Sequence, residues 1–440
     1  MAHDLTRRET LKTLAVLPGA LAAGVTGSLS ARAATETQAP RKLRIAIIGI
    51  GGRGQLFLEA SLKRDDVEVA ALCDVLPDAA AQGANMVEKA GRKAPALYTQ
   101  GPQDYRRLLQ RDDVDAVFIT TPAQLHGPMS ADSLRAHKWV FSEVPACNTL
   151  PECRDLVAAA ESTDAGYFFA ENYCFTRENL LILNLVEKGA FGTITLAECG
   201  YIHDCRNLMF NDDGSLTWRG QENSDPNYLG NCYPTHSLGP VSLWLGITRG
   251  DRFARCLSMT TKAAARRDYA LSRFGKTSAQ AKIDAWLPDS VTSLIQTDSG
   301  AMVTVRFDSA SPRPHHMDMY TLQGTKASYD DCQGLSLAGK AWQPLASLYD
   351  QHDHPMWRRH AQEIGTAGHG GGDFFTLHHF YECVRSKQRP GIDVYDAVTW
   401  SALIELSRRS ILDGNKPEEY PDFTNGKWRE RKRYDWSATT

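Results

Sequence analysis

A chain of 440 residues is too long for one small core and is expected to divide into domains. Its 49 lysines and arginines nearly balance 52 aspartates and glutamates, and the net charge of −3 gives no reason to expect nucleic acid or an anionic membrane as a partner. The ten cysteines include no Cys-x-x-Cys pair, which excludes the common zinc-site spacings.

The first segment reads as a targeting signal and not as part of the fold. Thr6-Arg7-Arg8-Glu9-Thr10-Leu11-Lys12 precedes a modestly apolar stretch over 13–25, and Ala31-Arg32-Ala33 supplies small residues for cleavage. The pattern is similar to a twin-arginine export signal over 1–33, and it predicts delivery by that machinery to the periplasm or beyond. The apolar run is short and broken by Pro18, so no stable membrane anchor is expected. That pathway carries folded proteins, so the cysteines are expected as free thiols and a nucleotide can be loaded before export.

After a short lead, Leu43, Ile45, Ile47 and Ile48 form an apolar run that reads as a strand buried on both faces of a parallel sheet. It ends in Gly49-Ile50-Gly51-Gly52-Arg53-Gly54, and residues 55–62 have helical character. Strand, glycine turn and helix occur in the order a dinucleotide site requires. The glycines serve the tight turn, the approach of backbone amides to a pyrophosphate, and close helix packing. A second strand over 67–73 ends in Asp74, whose carboxylate suits a ribose diol and would repel a 2′-phosphate, which favours NAD over NADP. Helical stretches over 79–90 and 151–160 alternate with strands over 116–120, 138–142 and 167–170. The expectation is a Rossmann-type, doubly wound parallel sheet over 41–170 with ligands gathered at the strand carboxyl ends, in loops 122–126, 143–145 and 171–172.

Beyond residue 190 the rhythm changes. Strands over 194–202, 254–260, 291–297, 302–307 and 319–323 follow one another without intervening helices, two of them joined by the hairpin signal Asp298-Ser299-Gly300. Amphipathic helices are expected over 373–385 and 395–412, the latter with Gly414 as its cap. The reading is a second, α+β domain over 171–440 with a mostly antiparallel open sheet, serving substrate binding and oligomerisation.

Glu143-Val144-Pro145 closes the 138–142 strand. This organisation resembles the family of glucose-fructose oxidoreductase and inositol dehydrogenase, whose members usually carry Glu-Lys-Pro there, the lysine helping to deprotonate a sugar hydroxyl. Val144 cannot do so, which argues against a simple dehydrogenase. Further motifs narrow the resemblance: Glu143-Val144-Pro145-Ala146-Cys147-Asn148-Thr149, Glu171-Asn172-Tyr173-Cys174-Phe175-Thr176-Arg177, Tyr201-Ile202-His203-Asp204, Trp218-Arg219, Tyr233-Pro234-Thr235-His236, Arg249-Gly250-Asp251-Arg252-Phe253, Gln323-Gly324-Thr325-Lys326 and Asp393-Val394-Tyr395-Asp396. Together they are similar to glycoside hydrolase family 109, known for NAD-dependent N-acetylgalactosaminidases.

That resemblance implies cleavage of terminal N-acetylgalactosamine, expected α-linked, through transient oxidation and not through two carboxylates. Hydride leaves C3 for NAD, the C2 proton becomes acidic, the group at C1 is eliminated, water adds and hydride returns. Gly49, Gly51 and Gly54 are cofactor candidates from the glycine-turn pattern itself; carried over position by position, the implied cofactor contacts are Gly52, Arg53, Asp74, Ala123, Gln124, Leu125, His126, Glu143, Val144, Asn172 and Tyr233. The implied substrate contacts are Tyr201, Arg219, Tyr233, Pro234, Thr235 and His236. His236 is the first candidate for acid–base work, since imidazole titrates near neutrality. His315, in Ser311-Pro312-Arg313-Pro314-His315, stands where the family tends to have tyrosine and leaves the accepted sugar open. Alternatives are an exported NAD-dependent sugar oxidoreductase and a noncatalytic sugar-binding protein on the same fold. A homo-oligomer is expected only by analogy with relatives. His352-Asp353-His354 and His378-His379 lack metal-ligand companions, and no metal is expected. His369, among the glycines of 368–373, is either a wall of the site or part of a linker.

Overall fold

The computed structural model describes residues 41–313, 318–365 and 367–436. The segment 1–33 that reads as an export signal, the lead into the first strand and His315 lie outside these residues. From Lys42 onward the described chain forms a single unit.

Six strands make the first sheet: β1 (Leu43–Ile48), β2 (Val67–Cys73), β3 (Ala96–Tyr98), β4 (Ala116–Ile119), β5 (Trp139–Ser142) and β6 (Tyr167–Phe169). All are parallel, in the order β3-β2-β1-β4-β5-β6. The order reverses between β1 and β4, and this switch opens a crevice at their carboxyl ends. Ile45, Ile47, Val117 and Phe118 have no exposed surface, so the central strands are covered on both faces, as their unbroken apolar runs require. Part of one cover comes from far along the chain. Phe380, on helix Gly372–Ser386, meets Phe118, Phe141 and Phe168 at ring-centroid distances of 5.4, 5.2 and 5.8 Å. The next residue, Tyr381, shares a 2.6 Å hydrogen bond with Ser61 of the first helix, Gly52–Leu62.

The second sheet contains β7 (Ile194–Ile202), β8 (Phe253–Thr260), β9 (Ser290–Thr297), β10 (Met302–Asp308), β11 (Asp318–Gly324), β12 (Ala327–Asp330), β13 (Gly334–Leu337) and β14 (Glu418–Glu419). Their order is β13-β12-β11-β7-β10-β9-β8-β14, and only β7 and β10 pair in parallel. The fold class therefore agrees with the sequence reading, including the β9–β10 hairpin with Gly300 at φ +93°.

The expectation of strands without helices beyond residue 190 is corrected. Helices Trp218–Glu222, Thr235–Leu245 and Ala265–Phe274 intervene. Thr235–Leu245 carries Gly239 and Pro240 and is buried around most of its circumference, so it shows neither helix propensity nor an amphipathic stripe. It is held by packing: Trp244 meets Tyr320 and Tyr329 at 5.8 and 5.9 Å, and the Tyr320 hydroxyl donates to the His236 carbonyl at 2.6 Å. The expected helix over 395–412 divides into Val394–Ser401 and Leu403–Leu412. Met209, Phe210, Ala270 and Trp286 form a small apolar core separate from the two main clusters, which makes the excursions after β7 and after β8 into a cap with its own packing.

Candidate active site

The glycine turn is built as a cradle. Gly49 has φ +95°, and a Cβ there would lie 2.8 Å from Thr120 backbone; a Cβ on Gly54 would lie 2.0 Å from the Gly49 carbonyl oxygen. Helix and turn therefore close tightly only with these two glycines. Gly51 and Gly52 instead face open space, with nothing within 4 Å of an added Cβ. The first turn of helix Gly52–Leu62 carries no acidic residue and no side-chain cap, which leaves its amides and the positive end of its dipole to an anion. The Asp74 carboxylate accepts the Ile50 N–H at 2.7 Å and the Leu76 N–H at 2.9 Å, so it latches the turn to β2 while each oxygen keeps a lone pair.

Beside the strand ends, Val75, Leu76 and Leu125 are 57, 63 and 37 % exposed. This open apolar surface suits an adenine ring. Leu125 ends the short turn Ala123–Leu125, where Gln124 is also exposed. Asn172, just beyond β6, has a buried amide oxygen with no hydrogen-bond partner among the described residues. An anion cradle, a carboxylate at the second strand, open apolar walls and an orphaned acceptor together fit NAD.

Three of the sequence candidates have their polar groups committed elsewhere. Both ring nitrogens of buried His126 lie 2.7 Å from carbonyl oxygens, those of Pro145 and Thr121, so its side chain staples the loops after β4 and β5. The Arg53 guanidinium holds Glu143 Oε1 at 2.6 Å and Asp373 Oδ1 at 3.1 Å and lies over the Phe57 ring. The Glu143 carboxylate also accepts the Val144 N–H at 3.1 Å. Asp373 further accepts Asn172 Nδ2 at 2.8 Å and faces His369 Nδ1 at 2.8 Å. Burial alone would push the Asp373 carboxyl up, but the His369 hydrogen bond and the Arg53 charge outweigh it and hold it well below the usual range. A charged network thus joins the cofactor turn, the ends of β5 and β6, and the start of helix Gly372–Ser386.

Within electrostatic reach of this network lies a box of rings. His236 sits in the first turn of helix Thr235–Leu245, with ring centroids 4.6 Å from Tyr173, 5.0 Å from Tyr233 and 6.0 Å from Tyr201. Its Nδ1 is 2.7 Å from Glu171 Oε1, and both side chains are buried. The Tyr201 hydroxyl shares a 2.9 Å hydrogen bond with His203 Nδ1 at the end of β7. Burial first, then the Glu143 and Glu171 charges, push the Tyr233 phenol far up. It therefore stays protonated and serves as a donor, not a base. Pro234 stands at the helix start, and the Thr235 hydroxyl is buried with no partner among the described residues. Arg219 reaches this group electrostatically, since its charge acts on Tyr233 and on the Cys205 thiol.

The structure brings Glu143, Asn172, Tyr201, Tyr233 and His236 around one crevice, with Arg219 at its edge. It adds Glu171, Tyr173 and Asp373, which the sequence reading had not assigned, and joins to them His369, which that reading left between a wall of the site and a linker. Glu171 lay in a flagged loop and Tyr173 in the motif that continues it; for Asp373 only its place beside a glycine run hinted at a role. Three residues of the histidine motifs have structural work. Asp353 pairs with Arg177 at 2.5 Å, His354 caps helix Pro355–His360, and His379 Nε2 accepts the Gly391 N–H at 3.2 Å.

Comparison with known proteins places this geometry in a lineage. The family model described as "Glycosyl hydrolase 109, C-terminal domain" matches residues 175–430, and that described as "Oxidoreductase family, NAD-binding Rossmann fold" matches residues 43–170. A glycosyl hydrolase family 109 protein of Stenotrophomonas maltophilia is 36 % identical over 417 residues, covering 89 % of this chain and 91 % of its own. An alpha-N-acetylgalactosaminidase of Shewanella oneidensis is 33 % identical over 458 residues, covering 98 % of each chain. Among solved structures, a levoglucosan dehydrogenase in complex with NADH shares the fold with a TM-score of 0.66 at 17 % identity, over 87 % of this chain and 100 % of that one. The C-terminal match spans more than half of the sequence and the relatives run along nearly all of it, so the chain belongs to glycosyl hydrolase family 109 and is an NAD-dependent glycoside hydrolase.

Proposed function

We propose that this protein is an exported glycosidase that removes terminal, α-linked N-acetylgalactosamine from glycans with no net redox change. The reading rests on one arrangement above all: the buried Glu171–His236 pair inside the ring box formed by Tyr173, Tyr201 and Tyr233. NAD supplies, when bound, a reversible hydride acceptor for one ring carbon, which makes the neighbouring C–H acidic enough to lose its proton.

The chain's own residues do the rest. Glu171 holds Nδ1 of His236, and the imidazole of this buried pair accepts a proton from the sugar and returns it later. Tyr233, held protonated, donates to a sugar oxygen, and the Tyr201–His203 pair offers a second hydroxyl whose proton has a ready acceptor. Val144 is buried at the position where the dehydrogenase relatives usually carry lysine, so no amine stands there to drive a net oxidation. Arg219 contributes a fork of donors for sugar oxygens. Twin-arginine export of a folded, loaded enzyme is consistent with catalysis that regenerates its cofactor in every turnover.

The test is direct. Purified protein should release nitrophenol from a nitrophenyl N-acetyl-α-galactosaminide without added NAD and incorporate solvent deuterium at C2, and His236→Ala should abolish both. Absence of turnover across a panel of α- and β-linked nitrophenyl sugars overturns the reading.

A further inference from the structure

Arg219 differs from the other arginines near the site. Arg53 and Arg206 are bound to carboxylates at 2.6 and 2.8 Å. The Arg219 side chain has no hydrogen bond or ion pair among the described residues, and its guanidinium carbon lies 4.0 Å from the centre of the Trp218 ring. Trp218 is 48 % exposed, an unusual position for an indole whose other surroundings are folded.

Both residues open helix Trp218–Glu222, which is pinned to the segment leaving β7. The Thr217 N–H donates to the Met209 carbonyl at 3.0 Å and the Thr217 hydroxyl to the Leu208 carbonyl at 2.6 Å. Gly220 permits this approach, since a Cβ there would lie 2.2 Å from the Met209 carbonyl oxygen. The same segment begins at Tyr201 and His203. The open indole is backed by a cation whose charge also acts on Tyr233 of the ring box and on Cys205, and Leu208, to whose carbonyl Thr217 is bonded, is exposed as well.

We infer that Trp218, held flat by Arg219, is the platform for the sugar ring on the far side of the scissile bond, so the substrates are glycans of at least two rings. The inference rests on the glycosidase reading and deepens it. The apolar C–H face of a pyranose packs on an aromatic plate while its hydroxyls stay in water, and the unpaired guanidinium behind the plate offers donors to oxygens that overhang it.

The experiment compares methyl N-acetyl-α-galactosaminide with an N-acetyl-α-galactosaminyl-galactose disaccharide. Trp218→Ala should lower the disaccharide-to-methyl ratio of kcat/KM by roughly fivefold to tenfold, the size of one lost stacking contact, and Trp218→Phe should restore most of it. In a His236→Ala background the disaccharide should change indole emission, and adding Trp218→Ala should remove that change. An unaltered ratio together with an unaltered emission response overturns the platform. If the wild type cleaves neither glycoside, the glycosidase reading fails, and the emission titration alone then decides whether Trp218 binds a sugar.

Discussion

At the scale of single residues, the contact that decides the chemistry is the 2.7 Å approach of Glu171 to His236 Nδ1. A carboxylate is an acceptor only, so it fixes the hydrogen of a neutral imidazole on Nδ1 and makes Nε2 the basic nitrogen of the ring. Glu171 is itself held, since Oε1 also accepts the Tyr173 N–H at 3.2 Å. Its second oxygen is buried without a partner among the described residues, an arrangement that costs stability and persists where function requires it. Glu171→Gln keeps the shape but can present an amide N–H to Nδ1, which turns the ring to the other tautomer. The expected result is a fall in kcat of about a hundredfold or more with a smaller change in KM and an unchanged thermal midpoint. Activity within twofold of wild type would reduce Glu171 to a packing residue.

At the scale of elements, the same pair explains why parts of the site were legible and others were not. The glycine turn, β1, β2 and the loops after β5 and β6 are local patterns, so Gly49, Asp74, Glu143 and Asn172 could be read from neighbouring residues. Helix Thr235–Leu245 could not, because Gly239 and Pro240 erase its signal. That glycine has a structural reason: a Cβ on Gly239 would lie 2.8 Å from Glu171 Cγ and 2.9 Å from Cys174 Sγ. The residue that hides the helix is the one that admits the carboxylate to His236. The strands β3, β12, β13 and β14 escaped because two to four residues are too few to show alternation. The cap offers a test at this scale. Burial pushes the Glu222 carboxyl up to about 7, only partly offset by Arg219. A carboxyl whose folded pKa lies above its unfolded value favours folding while protonated, so its contribution is full below about 4.5 and is lost as pH rises to about 7. Hydrogen exchange in the cap should therefore quicken between these values, and Glu222→Gln should flatten that dependence. Equal pH dependence in both proteins would contradict the burial of this carboxyl.

At the scale of the whole molecule, the cofactor turn and the distal end of the chain are one mechanical system. Helix Gly372–Ser386 wedges Phe380 into the aromatic layer of the first sheet and carries Asp373 to Arg53. This tie spans 320 positions in sequence, which is why no local pattern announced it. Gly372 allows the close approach, since a Cβ there would lie 2.2 Å from the Asn172 carbonyl oxygen. Asp373→Asn removes the charge that Arg53, His369 and Asn172 share, while Glu143 remains to compensate Arg53. Breaking a largely buried pair costs on the order of 3–5 kcal/mol, and the surviving partner and the 31 % exposure of the Arg53 side chain place the expected loss at roughly 2 kcal/mol. Because Arg53, which loses this partner, belongs to the nucleotide turn, NAD should also be released faster from the variant. Nucleotide bound only to the folded state stabilises the entire chain, so the variant should unfold earlier and, holding NAD less tightly, gain less from the same concentration of NAD than the wild type does. Calorimetry with and without NAD checks both parts. A variant that loses stability yet retains nucleotide as firmly as the wild type would show that Asp373 braces the fold alone and does not couple the two ends of the chain through the cofactor turn.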